Sequence, residues 1–244
     1  MANTLMSYNG AITYLNNDSS TNWYLYSSTD DIYFNANMSM FANGCTNLQS
    51  FPNVKYDYVT NMLSAYQNCT NLTGSPVCGD NVIDMQNAYA DCHNITGRPV
   101  CGNNVIIMRD TYTNCYNLTG RPVCGPNVTS LAAAYPRCHN LTGSPACGPN
   151  VTNMVYTYYD CPNLYGNMYC AYTGSKLSSA VNLYMCFGGR NASRRLNIFV
   201  VNGYAYHNWL MHVGTLVSGS KLSWINSTNK FYNSAANIHV YYNY

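Results

Sequence analysis

Apolar and polar positions recur along this chain with a period of 23 residues. One column holds a large apolar side chain, and a second column holds tyrosine. The two columns consist of Met62, Met85, Met108, Leu131 and Met154, and of Tyr66, Tyr89, Tyr112, Tyr135 and Tyr158. A fixed period in the twenties predicts a solenoid, in which each repeat forms one coil and buries its apolar side against its neighbours.

Within one repeat, the pattern predicts an extended piece, a turn and a short helix. The piece Asn-Leu-Thr-Gly-x-Pro-Val-Cys contains Gly and Pro, which exclude a helix there. After it, apolar residues are spaced i, i+3, i+6 and i+7, which places them on one helix face. In the second full repeat these residues are Val82, Met85, Ala88 and Tyr89.

The predicted fold class is therefore an α/β repeat. We expect a right-handed, leucine-rich-repeat-like solenoid of 23-residue strand–short-helix coils with β-rich N- and C-terminal caps. Parallel strands about 4.8 Å apart would align equivalent residues of successive coils into columns.

The chain divides into three parts. Residues 1–44 are aromatic and irregular, and form either an N-terminal cap or an attachment segment. Residues 45–187 are the leucine-rich-like solenoid. Residues 188–244 contain strand-like runs at 197–201, 221–225 and 238–242, with a candidate helix at 206–216, and are predicted to be degenerate coils and a C-terminal β-rich cap.

The order of residues in the repeat resembles that of a known family. The segment Asn150-Val151-Thr152-Asn153-Met154 is followed by an aromatic residue, a cysteine and an Asn-Leu pair, which are Tyr158, Cys161 and Asn163-Leu164. This order is similar to the BspA-type leucine-rich repeats of bacterial surface proteins. The resemblance covers residues 45–187 and implies a role in adhesion or binding. The Gly-x-Pro-Val/Ala-Cys segment and its second cysteine depart from the family pattern.

All twelve cysteines follow the same period in two series. Ten of them form the predicted structural ladders, which are Cys69, Cys92, Cys115, Cys138 and Cys161 in one series and Cys78, Cys101, Cys124, Cys147 and Cys170 in the other. They are either buried reduced thiols, since free cysteine behaves as a small hydrophobe, or disulfides between cysteines nine residues apart. Metal binding is disfavoured because the chain has no Cys-x-x-Cys.

Charged residues are scarce, which limits the partners that can be expected. Charged residues make up 8% of the chain, all nine acids are Asp, and the net charge is +2, whereas an average soluble domain is about 25% charged. No basic run supports nucleic-acid binding. No apolar run approaches the ~20 residues of a spanning helix, so membrane insertion is not expected. The N-terminus lacks a signal-peptide pattern.

Catalytic chemistry is weakly supported. No two Asp residues form a motif, and His93 and His139 occupy a repeat position that elsewhere holds Thr, Tyr or Pro. Phe187-Gly188-Gly189-Arg190 is interpreted as a turn rather than a phosphate-binding loop. The prediction is a protein that is not an enzyme, with no catalytic residue, no cofactor and no metal.

Eleven asparagines stand in Asn-x-Ser/Thr, the acceptor sequence for N-linked glycans. Most of them belong to the repeat itself, in Asn-Leu-Thr and Asn-Val-Thr. We therefore favour asparagine side chains that bond the backbone of the turns over glycan attachment.

The variable positions of the extended piece are the candidate binding site, here called the strip. Thr, Arg and Ser recur there, and tyrosine, which offers contact area and a hydroxyl, is abundant nearby. The strip consists of Thr73, Ser75, Thr96, Arg98, Thr119, Arg121, Thr142, Ser144 and Tyr165. The alternative is an ordinary polar surface.

Three functions fit these features. The preferred one is a structural or adhesive virion component in a bacteriophage fibre, tail or capsid decoration. The second is a bacterial surface adhesin or extracellular filament subunit, and the remote third is a carbohydrate-active enzyme. The expected partners are other virion or surface proteins, further copies of the chain and a host glycan or surface protein. The expected location is the virion or the cell exterior.

Overall fold

The computed structural model describes residues 4–5, 32–34, 36–170, 185–189, 194–200, 222–224, 230–233 and 238–242. Two sheets lie within this part of the chain. The first is parallel and has the order β1-β2-β3; the second has the order β4-β5-β8-β7-β6, and its β7 is antiparallel to both neighbours. The strands are β1 Thr4–Leu5, β2 Ile32–Tyr33, β3 Val54–Lys55, β4 Gly166–Cys170, β5 Leu196–Val200, β6 Leu222–Trp224, β7 Lys230–Asn233 and β8 Ile238–Tyr242.

Backbone hydrogen bonds join each 23-residue repeat to the next. A column of isolated parallel bridges connects equivalent positions: Asn61 pairs with Asp84, Asp84 with Ile107, and Ile107 with Ser130. Elsewhere in the repeat, the N–H groups of Thr96, Thr119 and Thr142 donate to a glycine carbonyl of the preceding repeat. Neighbouring repeats therefore lie side by side in register.

The expected short helix is absent, and this part of the prediction was wrong. Residues 84–92, like their equivalents, form successive hydrogen-bonded turns, and no described residue is in an α-helix. Asn87 and Asp91 have positive φ angles of 55° and 62°, which interrupt right-handed helical geometry. The amide groups of Met85 and Asn87 donate to carbonyls of the next repeat, at 3.0 Å each, rather than along their own segment.

Peptide groups in these turns point in one direction along the stack of repeats. The peptide between Gln86 and Asn87 accepts from Ser64 of the preceding repeat and donates to Arg109 of the following one. The peptides that end at Tyr89 and at Asp91 have the same arrangement. Parallel amide dipoles add along the stack, as they do along the axis of an α-helix.

In four repeats a tyrosine hydroxyl bonds to the backbone of the extended piece. The Tyr112 hydroxyl donates to the Val100 carbonyl at 2.8 Å and accepts from the Val100 N–H at 3.0 Å. Because these groups are occupied, and because the preceding Pro99 has no N–H, this piece cannot form a continuous β-ladder. In the repeats that contain this proline, the expected strand is an extended segment whose isolated bridges are Gly120 with Leu141 and Gly143 with Leu164.

The core is a set of aligned columns. The five tyrosines of the 66–158 column are fully buried, and their rings are stacked with centroids 5.3–5.6 Å apart. Phe187 continues the stack from Tyr158 at 5.5 Å. The 62–154 apolar column is also fully buried. The apolar spacing therefore identified the buried face correctly, although its backbone is not helical.

Close approach of the repeats depends on the glycine that follows four cysteines of the second series, which are Cys78, Cys101, Cys124 and Cys147. A Cβ atom on Gly125 would lie 2.8 Å from the Gly102 carbonyl oxygen and 2.9 Å from the Cys101 sulfur. The Gly125 N–H donates to this sulfur at 3.2 Å. A larger residue would push neighbouring repeats apart.

Beyond the repeats, β5, β6 and β8 coincide with the three strand-like runs of the sequence, and β7 adds a strand that the pattern did not indicate. The candidate helix at 206–216 and the aromatic run at 23–26 lie outside the described residues. The right-handed, leucine-rich-type classification of the repeats and the domain boundaries stay predictions. Within the described ranges, no helix has the length and hydropathy to cross a membrane.

Loss of one core hydroxyl should destabilise the fold. Tyr112→Phe leaves the N–H and carbonyl of Val100 without their partner, and the expected cost is about 1–3 kcal/mol of unfolding free energy. The urea midpoint should therefore fall. Tyr58→Phe is the matched control, because that ring is 67% exposed. Equal midpoints for the two variants would contradict the role of the hydroxyl.

Stability should fall in alkali. Burial raises the pKa of Tyr89 and Tyr112 well above the usual value, and raises that of Cys101 to about 11. Above about pH 9 the unfolded chain therefore loses protons that the folded chain keeps, so the free energy of unfolding decreases as pH rises. Urea midpoints at pH 7, 9 and 10.5 should decline in that order. A constant midpoint would refute this linkage.

Candidate functional site

The structure brings the residues of the strip together on one surface. Eight of the nine are exposed, and Ser144 is half-buried. Several are already engaged with the protein: the Thr73 hydroxyl donates to the Gln49 carbonyl at 2.7 Å, and the Thr119 hydroxyl donates to the Gly97 carbonyl at 3.2 Å. The strip is thus continuous, but part of its hydrogen-bonding capacity is used internally.

Glycines of neighbouring repeats accommodate the longer side chains of the strip. Gly120 has a φ of +78°, and a Cβ placed on it would lie 2.7 Å from Cγ of Arg98. Arg121 donates through Nε to the Ser144 carbonyl at 3.1 Å. At the far end, the Arg194 guanidinium lies 4.6 Å from the centre of the Tyr165 ring. The arginine stems therefore pack along the surface of the stack.

A second surface, which the sequence did not indicate, is a groove that crosses four repeats. It encloses about 650 Å³ and is here called the asparagine groove. It is lined by Asp57, Tyr58, Thr60, Asn81, Ile83, Asn104, Ile106, Asn127 and Thr129. The signal in the sequence was an isoleucine at the same position of two neighbouring repeats, Ile83 and Ile106. In the structure these side chains are 43% and 41% exposed, although they stand beside buried residues.

The floor and wall of the groove are held by bonds between repeats. In the floor, the N–H of Ile106 donates to the Ile83 carbonyl at 2.9 Å. In the wall, Nδ2 of Asn104 donates to the Asp80 carbonyl at 2.9 Å, and Asn127 donates in the same way to Asn103. The Oδ1 atoms of these asparagines accept no hydrogen bond from a described residue. The groove thus presents one oriented carboxamide oxygen in each of the three repeats that contain Asn81, Asn104 and Asn127.

Asparagine side chains of the Asn-Leu/Ile pairs bond in the same way. Nδ2 of Asn71 donates to the Thr46 carbonyl at 2.8 Å, and Nδ2 of Asn94 donates to the Thr70 carbonyl at 2.9 Å. These bonds use the nitrogen to which a glycan would be attached. They also connect each repeat to the preceding one.

The two histidines of the repeats belong to a short aromatic stack. His93, Tyr116 and His139 are half-buried, and their ring centroids are 4.9 and 5.4 Å apart. Nε2 of His139 lies 3.2 Å from Asp160, and Nε2 of His93 lies 3.8 Å from Asp91. The sequence placed His93 and His139 at one variable repeat position, but this stack with Tyr116 is visible only in the structure.

The cysteines are poor nucleophiles in this environment. The eleven cysteines whose side chains the structure describes are free thiols. In the buried series, Cys115 Sγ donates to the Tyr89 carbonyl at 3.1 Å, and burial raises the pKa of this thiol well above its usual value. In the half-buried series, burial raises the pKa of Cys78 and Cys124 to about 12. Since the thiolate is the nucleophile and metal ligand, both series favour a structural role.

The side chains within the described ranges contain no group of three or more His, Cys or Asp that could hold a metal ion. His207, His212 and the Asp30-Asp31 doublet lie outside those ranges. Comparisons with protein-family models, with curated proteins and with solved structures found no match for this chain. The function is therefore argued from the surfaces themselves.

Thiol labelling should follow unfolding. At pH 8 iodoacetamide should modify the buried and half-buried cysteines of the folded chain much more slowly than those of the chain in urea. Burial blocks access to them, and it raises the pKa of thiols such as Cys78, Cys101 and Cys124. Intact-mass measurement over time, followed by peptide mapping, reports each site. Equal labelling rates in the folded and unfolded chains would contradict the structural role.

Proposed function

We propose that this chain is a non-enzymatic structural or adhesive repeat protein that displays a binding surface. We place it in a virion, as part of a fibre, a tail or a capsid decoration. The observation that carries the proposal is the repetition of exposed side chains. The same kinds of groups recur on neighbouring repeats, both in the strip and in the asparagine groove.

Repetition of this kind favours binding to extended or multivalent targets. A rigid row of similar groups can make several weak contacts at once, and each contact after the first is effectively intramolecular. The row also loses little conformational entropy on binding, because bonds between repeats already hold its backbone. This surface therefore suits adhesion better than the enclosure of a single small substrate.

The chemistry of the cysteines supports a structural role as well. Buried thiols that donate to backbone carbonyls and have a raised pKa act as packing groups. The tyrosine hydroxyls of the core are likewise used to hold backbone. The most repeated reactive side chains are thus committed to the fold.

The alternative is a bacterial cell-surface adhesin or an extracellular filament subunit. It is favoured by the resemblance of residues 45–187 to BspA-type repeats. Both proposals use the same binding surfaces. They differ in whether the chain is part of a virion or of a bacterial surface. The proposed partners are other proteins of that assembly, further copies of the chain and a host glycan or surface protein.

Quantitative mass spectrometry of purified phage particles, and of proteins shaved from intact bacterial surfaces, can identify the assembly that contains this chain. The virion proposal expects a constant number of copies per particle through successive density gradients. Recovery from the shaved surfaces, with none in particles, would refute it in favour of the adhesin. Saturable binding of the fluorescently labelled chain to cells is expected in either case, and its absence would contradict the adhesive role.

A further inference from the structure

We propose that the asparagine groove binds a linear, uncharged polysaccharide whose chain runs along the stack of repeats. This inference names the ligand class of one surface, and it rests on the proposed adhesive function. Its elements are the oriented asparagine oxygens, the exposed isoleucines between the repeats and the tyrosine at one end of the groove.

The wall of the groove offers acceptors and almost no donors. The Nδ2 atoms of Asn81, Asn104 and Asn127 donate to carbonyls of the preceding repeat, at 2.7, 2.9 and 2.9 Å. The Thr60 and Thr129 hydroxyls of the floor also donate to backbone carbonyls, at 3.2 and 3.4 Å. What faces the ligand is a row of oxygen atoms, so a suitable ligand must supply hydrogen-bond donors at regular intervals.

The floor adds apolar contact at the same interval. Ile83 and Ile106 occupy equivalent positions of neighbouring repeats, and their side chains remain more than 40% exposed. Tyr58, which is 67% exposed at the first of the four repeats, offers an aromatic face. A sugar ring combines an apolar C–H face with hydroxyl donors at its edge, and tyrosine can pack against that face while its hydroxyl bonds.

Charge distinguishes this ligand from the other polymers. Among the described residues that line the groove, Asp57 is the one charged residue, and neither Lys nor Arg is present. A nucleic acid would bring phosphates to a surface without cations. An extended peptide adds to a sheet through free backbone edge groups, but the N–H of Ile83, of Ile106 and of Thr129 already donates within the stack. A neutral hydroxylated chain fits the remaining groups.

The ligand should also be a polymer. The groove crosses four repeats, and three of them contribute an asparagine at an interval close to the ring spacing of 5.3–5.6 Å in the core. The length of a hexose unit in an extended chain is similar to this interval. Successive sugar units can therefore meet equivalent groups, and affinity should rise with the number of linked units until the groove is filled.

The test is isothermal titration calorimetry on the full chain, with neutral oligosaccharides of two to six units from the cellulose, mannan and chitin series. At least one series should bind with an affinity that increases with length. The double variant Ile83→Arg and Ile106→Arg should weaken binding by about tenfold or more, because it replaces apolar contact with charge in the groove. Tyr58→Ala should weaken it too, and gives a second variant at a highly exposed position.

The matched control is Arg98→Ala combined with Arg121→Ala, which changes the strip and leaves the groove intact. Binding unchanged in this control supports the groove. Loss of binding in the control, with binding kept in the isoleucine variant, would overturn the groove assignment and leave the adhesive function in place. If the isoleucine variant has the same circular dichroism spectrum and urea midpoint as the parent chain, its loss of affinity is due to the changed groove. If the isoleucine variant does not fold, Tyr58→Ala is the variant that tests the groove.

Two further results would overturn the ligand class. One is the absence of binding to every neutral series while the labelled chain still binds cells, which preserves the adhesive proposal. The other is tighter binding to an acidic chain such as an alginate hexamer. Absence of both saccharide and cell binding would overturn the groove proposal and the adhesive function together.

Discussion

Hydrogen bonds between the peptide groups of neighbouring repeats are the interaction on which the rest of this structure depends. A buried N–H or carbonyl without a partner costs about as much as a lost hydrogen bond. In residues 84–91, alternate peptides satisfy this requirement across repeats and the others do so through turns within the repeat. The period of 23 residues follows, because an insertion or deletion would shift every bond beyond it.

In-register stacking also explains the composition. Each side chain lies next to its equivalent in the neighbouring repeats, so a charged residue at a repeated position would face a like charge, which is destabilising. Residues that tolerate self-contact are favoured instead. Tyrosine stacks on tyrosine, asparagine bonds to the backbone of the preceding repeat, and glycine permits close approach. The charged share of 8% fits this architecture, in which Arg98 and Arg121 are an exposed pair of like charges at equivalent positions.

The same constraint makes the surface a regular array. The asparagine groove and the strip arise because exposed positions are copied at a fixed interval by the bonds between repeats. The column that contains His93, Tyr116 and His139 shows that residue type can change at a position outside the fully buried core. A protein of this kind can change its ligand by changing one column while the fold is kept by the others.

The sequence by itself determined the period, the columns and the buried face. Met85, Ala88 and Tyr89 were assigned to the core from spacing alone, and they are fully buried. It did not determine the backbone between them, because spacing of i, i+3 and i+4 fits a helix and also fits a series of turns. The asparagines and aspartates at positions such as Asn87 and Asp91 were a signal for left-handed geometry, but Ala133 and Tyr156 adopt it too.

The tertiary structure alone decided what the polar side chains do. Asn104 and Asn94 look alike in the sequence, yet Asn104 lines the asparagine groove and Asn94 bonds within the Asn-Leu/Ile column. Ile83 and Val82 are neighbours of equal hydrophobicity, and the turn before them exposes the first and buries the second. A repeat specifies which residues are equivalent, whereas packing against the adjacent repeats decides which of them face solvent and which atoms remain available to a ligand.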